Sequence, residues 1–341
     1  MTADDDAPLV VRPVFPRPGL FDGALLTLAF AFVLFGSIIV IVVGGFLVLT
    51  LLDDPRAAAP VGAKPDGLAA IPPALVELLA WSFPLGYLAG GLFALVVIRI
   101  VVGRGWTREV GLQRLPPVHL GLALLALPAF VILSDGLAQL LFRLFSMEEH
   151  LDQAGQLGEL FAGFHPGFVL LAVGVGPGVV EELWCRGFLG RGFVGRYGWV
   201  GGVALSSLFF GMLHLYPPPY VLVTAAMGAC LHFAYACSRS LWVPIVVHVA
   251  NNGFAGLAAV GAVPVGGLER ALATNPVVLY SLAAVVLVSC GRAAWTVRAV
   301  AVGPRGVMFP PGGVTDGAPQ LVPLALALAS GSGLIGWLLM G

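Results

Sequence analysis

The sequence predicts an all-α fold, a polytopic transmembrane helix bundle of about eight or nine helices. Three observations predict it. Of the 341 residues, 59% are hydrophobic and 10% charged, whereas a soluble domain carries about 25% charged residues. Mean hydropathy is +0.97. The apolar residues also fall in runs of about 18 or more, long enough at about 1.5 Å per residue to cross a hydrocarbon core of about 30 Å. Length alone would allow about two soluble domains, but the runs leave too little chain outside the bilayer to build them.

In order, the spans fall near 22–52, 75–102, 118–142, 168–193, 198–215, 219–237, 241–263, 275–300 and 321–341. The last contains Gly331 and Gly333 and is the least secure of the set as a membrane crossing. The first follows Asp4, Asp5 and Asp6 without a basic leader. At about 30 residues it is too long for a signal-peptide core, so it reads as a retained helix. The segments 53–73 and 303–320 are rich in Pro, Gly and Ala and read as loops too small for a core of their own. No internal repeat is visible. Organisation is read as a tail and three spans (1–160), a polar-bearing core (161–263) and C-terminal spans (264–341).

Net charge is −1, but its distribution is uneven. With the N-terminus inside and nine crossings, the inner segments hold Arg12, Arg17, Arg99, Arg104, Arg108, Arg114, Arg186, Arg191, Arg196, Arg239, Arg292, Arg298 and Arg305, which is 13 of the 17 basic residues. The outer segments hold Arg56, Lys64, Arg143 and Arg270. The positive-inside rule then predicts a cytoplasmic N-terminus. Lys64 is the one lysine, an arginine bias that points to a GC-rich bacterial genome and a bacterial cytoplasmic membrane. The four cysteines, Cys185, Cys230, Cys237 and Cys290, lack the short spacing of a zinc site and read as small packing residues.

Charged side chains within a bilayer cost roughly 2.5–3.5 kcal/mol each on insertion scales and mark function by default. Here they cluster between residues 181 and 252. The first group is Glu181-Glu182-Leu183-Trp184-Cys185-Arg186-Gly187. Glu182 and Arg186 are four apart with the acid first, the spacing of a helical ion pair. Glu181 lies about 100° around the helix without such a partner, where a desolvated carboxylate suits general-base work. A helix-end salt bridge beside a snorkelling Glu is the plain alternative. The second group is Phe209-Phe210-Gly211-Met212-Leu213-His214, with Phe210 placed one turn from His214 to brace its ring. The third is His248-Val249-Ala250-Asn251-Asn252, where His248 and Asn252 share a face; interhelical hydrogen bonding is its plain reading. Together they supply a carboxylate, two imidazoles and a carboxamide on three helices, the parts for water-activated carbonyl chemistry. Zinc stays open as cofactor, since Glu181, His214 and His248 would leave one coordination position free.

EELWCRG resembles the EExxxRG motif of the CPBP family, the CAAX-protease and bacteriocin-processing (Abi) intramembrane proteases. SSLFFGMLHL (206–215) resembles that family's FxxxH segment, and SLWVPIVVHVANN (240–252) its HxxxN segment. All three occur in family order over roughly 168–254, with Cys185 replacing a common aromatic. The resemblance implies an intramembrane endopeptidase, often called a metalloprotease, in which Glu181 is the base. Glu182 and Arg186 would support it, His214 would position water, and His248 with Asn252 would form the oxyanion side. Membrane lipids and a membrane-embedded or lipidated peptide are the expected partners, and nucleic acid is not. A non-catalytic scaffold or immunity-type protein of the same fold is the alternative, and a transporter is disfavoured by the absent repeat.

The remaining polar positions read as structural: His232 as packing or interface, Asp135 as a contact to a loop or helix break, Gly86 and Gly90 as a close helix contact, and Pro217–Pro219 as a hairpin. One geometric conflict stands. If the fourth helix ended near Arg186, Glu181 and His214 would lie at opposite ends of their helices. They meet only if the fourth helix continues to residue 193 and the fifth is tilted or broken.

Overall fold

A computed structural model of the chain describes residues 18–58, 71–112, 114–150, 153–215, 217–298 and 321–340. The N-terminal tail, most of the 53–73 loop and the 303–320 loop lie outside the described residues. The described residues contain helices and no strand. Seven helices are long and apolar enough to cross a membrane. They are α1 (Leu20–Leu51), α2 (Pro73–Val101), α3 (Pro117–Leu144), the continuous stretch Pro166–Met212, then Pro218–Ser238, Trp242–Ala259 and Pro276–Thr296.

The stretch Pro166–Met212 is two helices in fact. Gly198 adopts φ 74° and ψ 177° inside it, a conformation essentially confined to glycine. The chain reverses there. A Cβ on Gly202 would meet the Val194 amide nitrogen at 2.3 Å, so the helix after the turn lies directly on the helix before it. We therefore divide it into α4 (166–197) and α5 (199–212), followed by α6 (Pro218–Ser238), α7 (Trp242–Ala259), α8 (Pro276–Thr296) and α9 (Leu321–Met340). This corrects the expected gap between residues 193 and 198: the helix runs through Phe193 without interruption. The last segment, the least secure of the expected spans, forms a 20-residue helix that is not among the seven candidate crossings of the described residues. Its Ala327 and Leu334 are buried with Leu122, Ala126, Leu279 and Val286 of α3 and α8.

The central cluster joins α1, α2, α4, α5, α6 and α7. Trp184 anchors it, stacking on Phe30 at 4.7 Å between ring centroids and donating from Nε1 to Thr27 Oγ1 at 3.3 Å. Gly86 and Gly90 of α2 face Leu34 and Ile38 of α1, as their spacing predicts. Asp135 departs from expectation: its Oδ2 accepts from Gln139 Nε2 at 2.7 Å, one turn along the same helix, and no loop is needed to satisfy it. Cys185, Cys237 and Cys290 are buried, whereas Cys230 of α6 is exposed in an apolar pocket shared with α3 and α8.

The Arg-rich segments gather on one side of the bundle. Tyr197 Oη accepts from the Leu20 amide at 2.8 Å, which sets the start of α1 beside the Gly198 turn. Glu109 pairs with Arg191. The Leu241 amide donates to Gly111 O at 3.0 Å, which sets the α2–α3 connection against the α6–α7 junction.

Candidate active site

The helix that carries the two glutamates changes hydrogen-bond pattern at that point. Residues 170–175 and 183–190 form wider π turns, and Glu181 and Glu182 lie in the α-helical segment Gly176–Glu182 between them. Such π segments are rare in helices and concentrate at functional sites. Glu181, Glu182 and Arg186 are all buried.

Glu182 accepts from Arg186 Nη1 through Oε1 at 2.5 Å, and the two side chains are 0% and 1% exposed. Arg186 also donates from Nη2 to Gly228 O of α6 at 2.8 Å, and its guanidinium lies 4.4 Å from the centre of the Phe210 ring. The same Glu182 Oε1 accepts from His248 Nδ1 at 2.8 Å. Glu182 therefore holds two cationic or donor groups from two helices, and not Arg186 alone.

Glu181 points to a different neighbourhood. Tyr87, fifteenth of the 29 residues of α2, donates its hydroxyl to Glu181 Oε1 at 2.6 Å. The Tyr87 side chain fits against Gly176, where a Cβ would meet Tyr87 Cβ at 3.2 Å and its ring Cγ at 3.3 Å. The other carboxylate oxygen, Oε2, is buried without a hydrogen-bond partner. It lies 3.9 Å from His214 Nε2 and 3.9 Å from His248 Nε2.

The two histidines are oriented from behind. His214 Nδ1 is 2.9 Å from Phe210 O, and a carbonyl only accepts, so Nδ1 carries the proton and Nε2 faces Glu181. Phe210 packs edge-on against both rings, at 5.0 Å to His214 and 5.7 Å to His248. The expected bracing of His214 by Phe210 thus extends to His248 and Arg186.

The Gly198 reversal brings these residues together. Glu181 precedes Gly198 by 17 positions and His214 follows it by 16 (198 − 181 and 214 − 198), so antiparallel helices return His214 to the level of Glu181. That resolves the conflict between the ends of the fourth and fifth spans. Asn252 lies one turn beyond His248 on α7, and its Oδ1 accepts from Asn251 Nδ2 at 3.1 Å. That hydrogen bond stays outside the glutamate–histidine cluster. Tyr87 is the member that sequence reading missed. The one available signal was a hydroxyl in the middle of an apolar span, where it needs a partner.

A catalytic zinc takes about three protein ligands at roughly 2.0–2.2 Å, which sets tetrahedral donors about 3.4 Å apart. Both Oε2–Nε2 separations here are 3.9 Å. Among the described residues no three His, Cys, Asp or Glu side chains converge closely enough to hold a metal ion. The donor set as placed does not fit zinc.

Residues 163–254 match the sequence model of the Rce1-like family, described as type II CAAX prenyl endopeptidases. The match runs from the turn before α4 into α7 and contains Glu181, Glu182, Arg186, His214, His248 and Asn252. No curated protein and no solved structure matches the chain.

Proposed function

From the match of residues 163–254 to the Rce1-like family model, we propose that the chain is a CPBP/CAAX-type intramembrane endopeptidase whose nucleophile is a water activated by Glu181. The observation that carries this reading is the unpartnered Glu181 Oε2, buried and 3.9 Å from the Nε2 atoms of two histidines. That spacing suits one bridging water.

Proton accounting assigns the roles. His214 has its proton on Nδ1, so its Nε2 accepts a hydrogen from the water. Glu181 Oε2 accepts the other. A water has no third hydrogen for His248 Nε2. His248 meets Glu181 and the water without conflict as an imidazolium, giving Nδ1–H to Glu182 and keeping Nε2–H as a donor. A substrate carbonyl entering the site takes that donor. Glu181 then removes a proton from the water, and the hydroxide oxygen bonds to the carbonyl carbon. The oxyanion that forms accepts from His248 Nε2–H, with the Asn252 carboxamide one turn away as second donor. Glu181 returns the proton to the amide nitrogen, and the C–N bond breaks to a carboxylic acid and an amine. Tyr87 holds Oε1 so that Oε2 faces the water. Glu182 and Arg186 fix His248 and balance the buried charge.

The substrate is a peptide bond at the membrane, in a membrane-embedded or lipidated protein. His214, with its side chain 21% exposed, is more open than Glu181, Glu182, Arg186 and His248 and marks the approach. We read the Arg-rich side as cytoplasmic. Purified protein should cleave such peptides, and Glu181→Gln should lose all cleavage while keeping its fold. Activity should survive exhaustive chelation. Activity lost to chelator and restored by near-stoichiometric zinc would replace the water-activation scheme with a metal one, and full activity in Glu181→Gln would end the proposal.

A further inference from the structure

A cavity of about 220 Å³ opens on the Arg-rich side of the bundle, lined largely by charged and polar side chains. Arg108, Glu109, Arg191, His232, Tyr235 and Arg239 line it. Gly190 and Arg191 follow Glu181 by nine and ten residues on α4, so the cavity lies roughly 13–15 Å along the helix from the catalytic carboxylate. It is a separate place with separate chemistry.

The cavity is built, not incidental. Its outer wall is the α2–α3 connection, stapled to α6 and α7 by a series of hydrogen bonds. Tyr235 Oη donates to Val110 O at 3.3 Å, the Leu241 amide to Gly111 O at 3.0 Å, and Trp242 Nε1 to Leu112 O at 2.7 Å. Ser240 Oγ donates to Arg114 O. Gly111 has φ 82°, and a Cβ there would meet Arg239 O at 2.8 Å. On the opposite wall, a Cβ on Gly190 would meet His232 Cε1 at 2.4 Å. Both glycines are needed for the walls to approach this closely while His232 packs between Trp199 and Tyr235 and shares a hydrogen bond with Ser206.

Charge is the informative part. Three guanidinium groups from three separate segments face one carboxylate, that of Glu109. Glu109 pairs with Arg191 Nη2, yet Arg191 Nε is buried without a hydrogen-bond partner. Excess positive charge in a partly desolvated cavity calls for an anion. Guanidinium forks converging from several directions match a tetrahedral, multi-oxygen group better than a planar carboxylate. The height is right as well: the cavity sits where α2 and α6 end and α3 and α7 begin, beside Trp106 and Trp242, the position of an interfacial aromatic belt. Basic pockets at that level bind phosphate headgroups. We propose that this pocket binds a phosphate group, supplied by an anionic phospholipid or by free phosphate.

The test uses the purified full-length protein in a neutral detergent, with thermal stability as readout. Phosphatidylglycerol should raise the melting temperature saturably and phosphatidylcholine should not. Inorganic phosphate is titrated against chloride at equal ionic strength. A saturable rise with phosphate identifies the free anion as sufficient, and a rise with phosphatidylglycerol alone identifies the lipid. Arg108→Ala, at a solvent-exposed position, should fold normally and weaken the apparent affinity about tenfold, the value of one charge-assisted hydrogen bond. Arg239→Gln should do the same. The proposal is overturned if neither phosphate nor phosphatidylglycerol stabilises beyond their controls. It is equally overturned if both variants respond like the parent protein, or if acetate stabilises as well as phosphate.

Discussion

At the scale of residues, the adjacent glutamates do different work. Glu182 is bonded to Arg186 and His248 from two helices, whereas Glu181 Oε2 is left facing the histidines. Glu182→Gln strands Arg186 as an unbalanced charge in a fully buried position, a loss of about 3–5 kcal/mol. It should lower both melting temperature and activity. Glu181→Gln should leave the melting temperature close to that of the parent and remove activity. Equal melting temperatures for the two variants would contradict this division. Tyr87→Phe removes one hydrogen bond to a carboxylate, worth about 1.5–3 kcal/mol. If that bond acts by aiming Oε2 at the water, kcat should fall by about 10- to 100-fold with KM little changed, alongside the lower melting temperature that the lost hydrogen bond brings. A change confined to KM would make Tyr87 a substrate contact.

At the scale of elements, the α4–α5 reversal at Gly198 decides whether a site exists. Its φ of 74° and ψ of 177° cost a non-glycine residue about 1–3 kcal/mol, so Gly198→Ala should destabilise by that amount. Gly202 is stricter. Any side chain there meets the Val194 backbone nitrogen at 2.3 Å, and backbone cannot move aside as a side chain does. Gly202→Ala should therefore separate α5 from α4, lift His214 away from Glu181 and abolish activity, with a fall in folded yield on size-exclusion chromatography. Gly36→Ala, where nothing lies within 4 Å, is the matched control and should behave as the parent. Activity retained in Gly202→Ala would show that His214 does not depend on this packing.

At the scale of the whole molecule, the contacts of Tyr197 with Leu20, Arg191 with Glu109 and Leu241 with Gly111 put the arginine-bearing ends on one side. The turn after α3, with Glu148 and Glu149, lies at the other end of that helix. In a background without its native cysteines, Arg104→Cys and Glu149→Cys should react with a membrane-impermeant maleimide from opposite sides of sealed vesicles. Labelling of both from one side would break the span count. The same asymmetry separates two polar clusters in a chain with so few charges: the glutamates and histidines are sunk among α2, α4, α5 and α7, and the arginine-lined cavity lies at the arginine-bearing ends.

The helices were legible in the sequence because membrane insertion is a local property. Each span is declared by its own run of apolar residues, and α1, α2 and α3 fall within a few residues of their expected bounds. The Glu182–Arg186 pair was legible for the same reason, since a four-residue spacing on one helix fixes its own geometry. Other facts belonged to packing between helices. No local pattern revealed that residues 193–198 continue a helix up to a reversal, because the apolar signal dips there whether the chain breaks or folds back. No spacing linked Tyr87 to Glu181 across 94 residues, or gave Glu182 a second partner in His248 across 66. The sequence alone pointed to a membrane bundle and to the glutamates and histidines that the fold brings together. Both glutamates keep a buried Oε2 without a hydrogen-bond partner; only the packing of α2, α5 and α7 around α4 decided that the one on Glu181 lies 3.9 Å from two imidazole nitrogens.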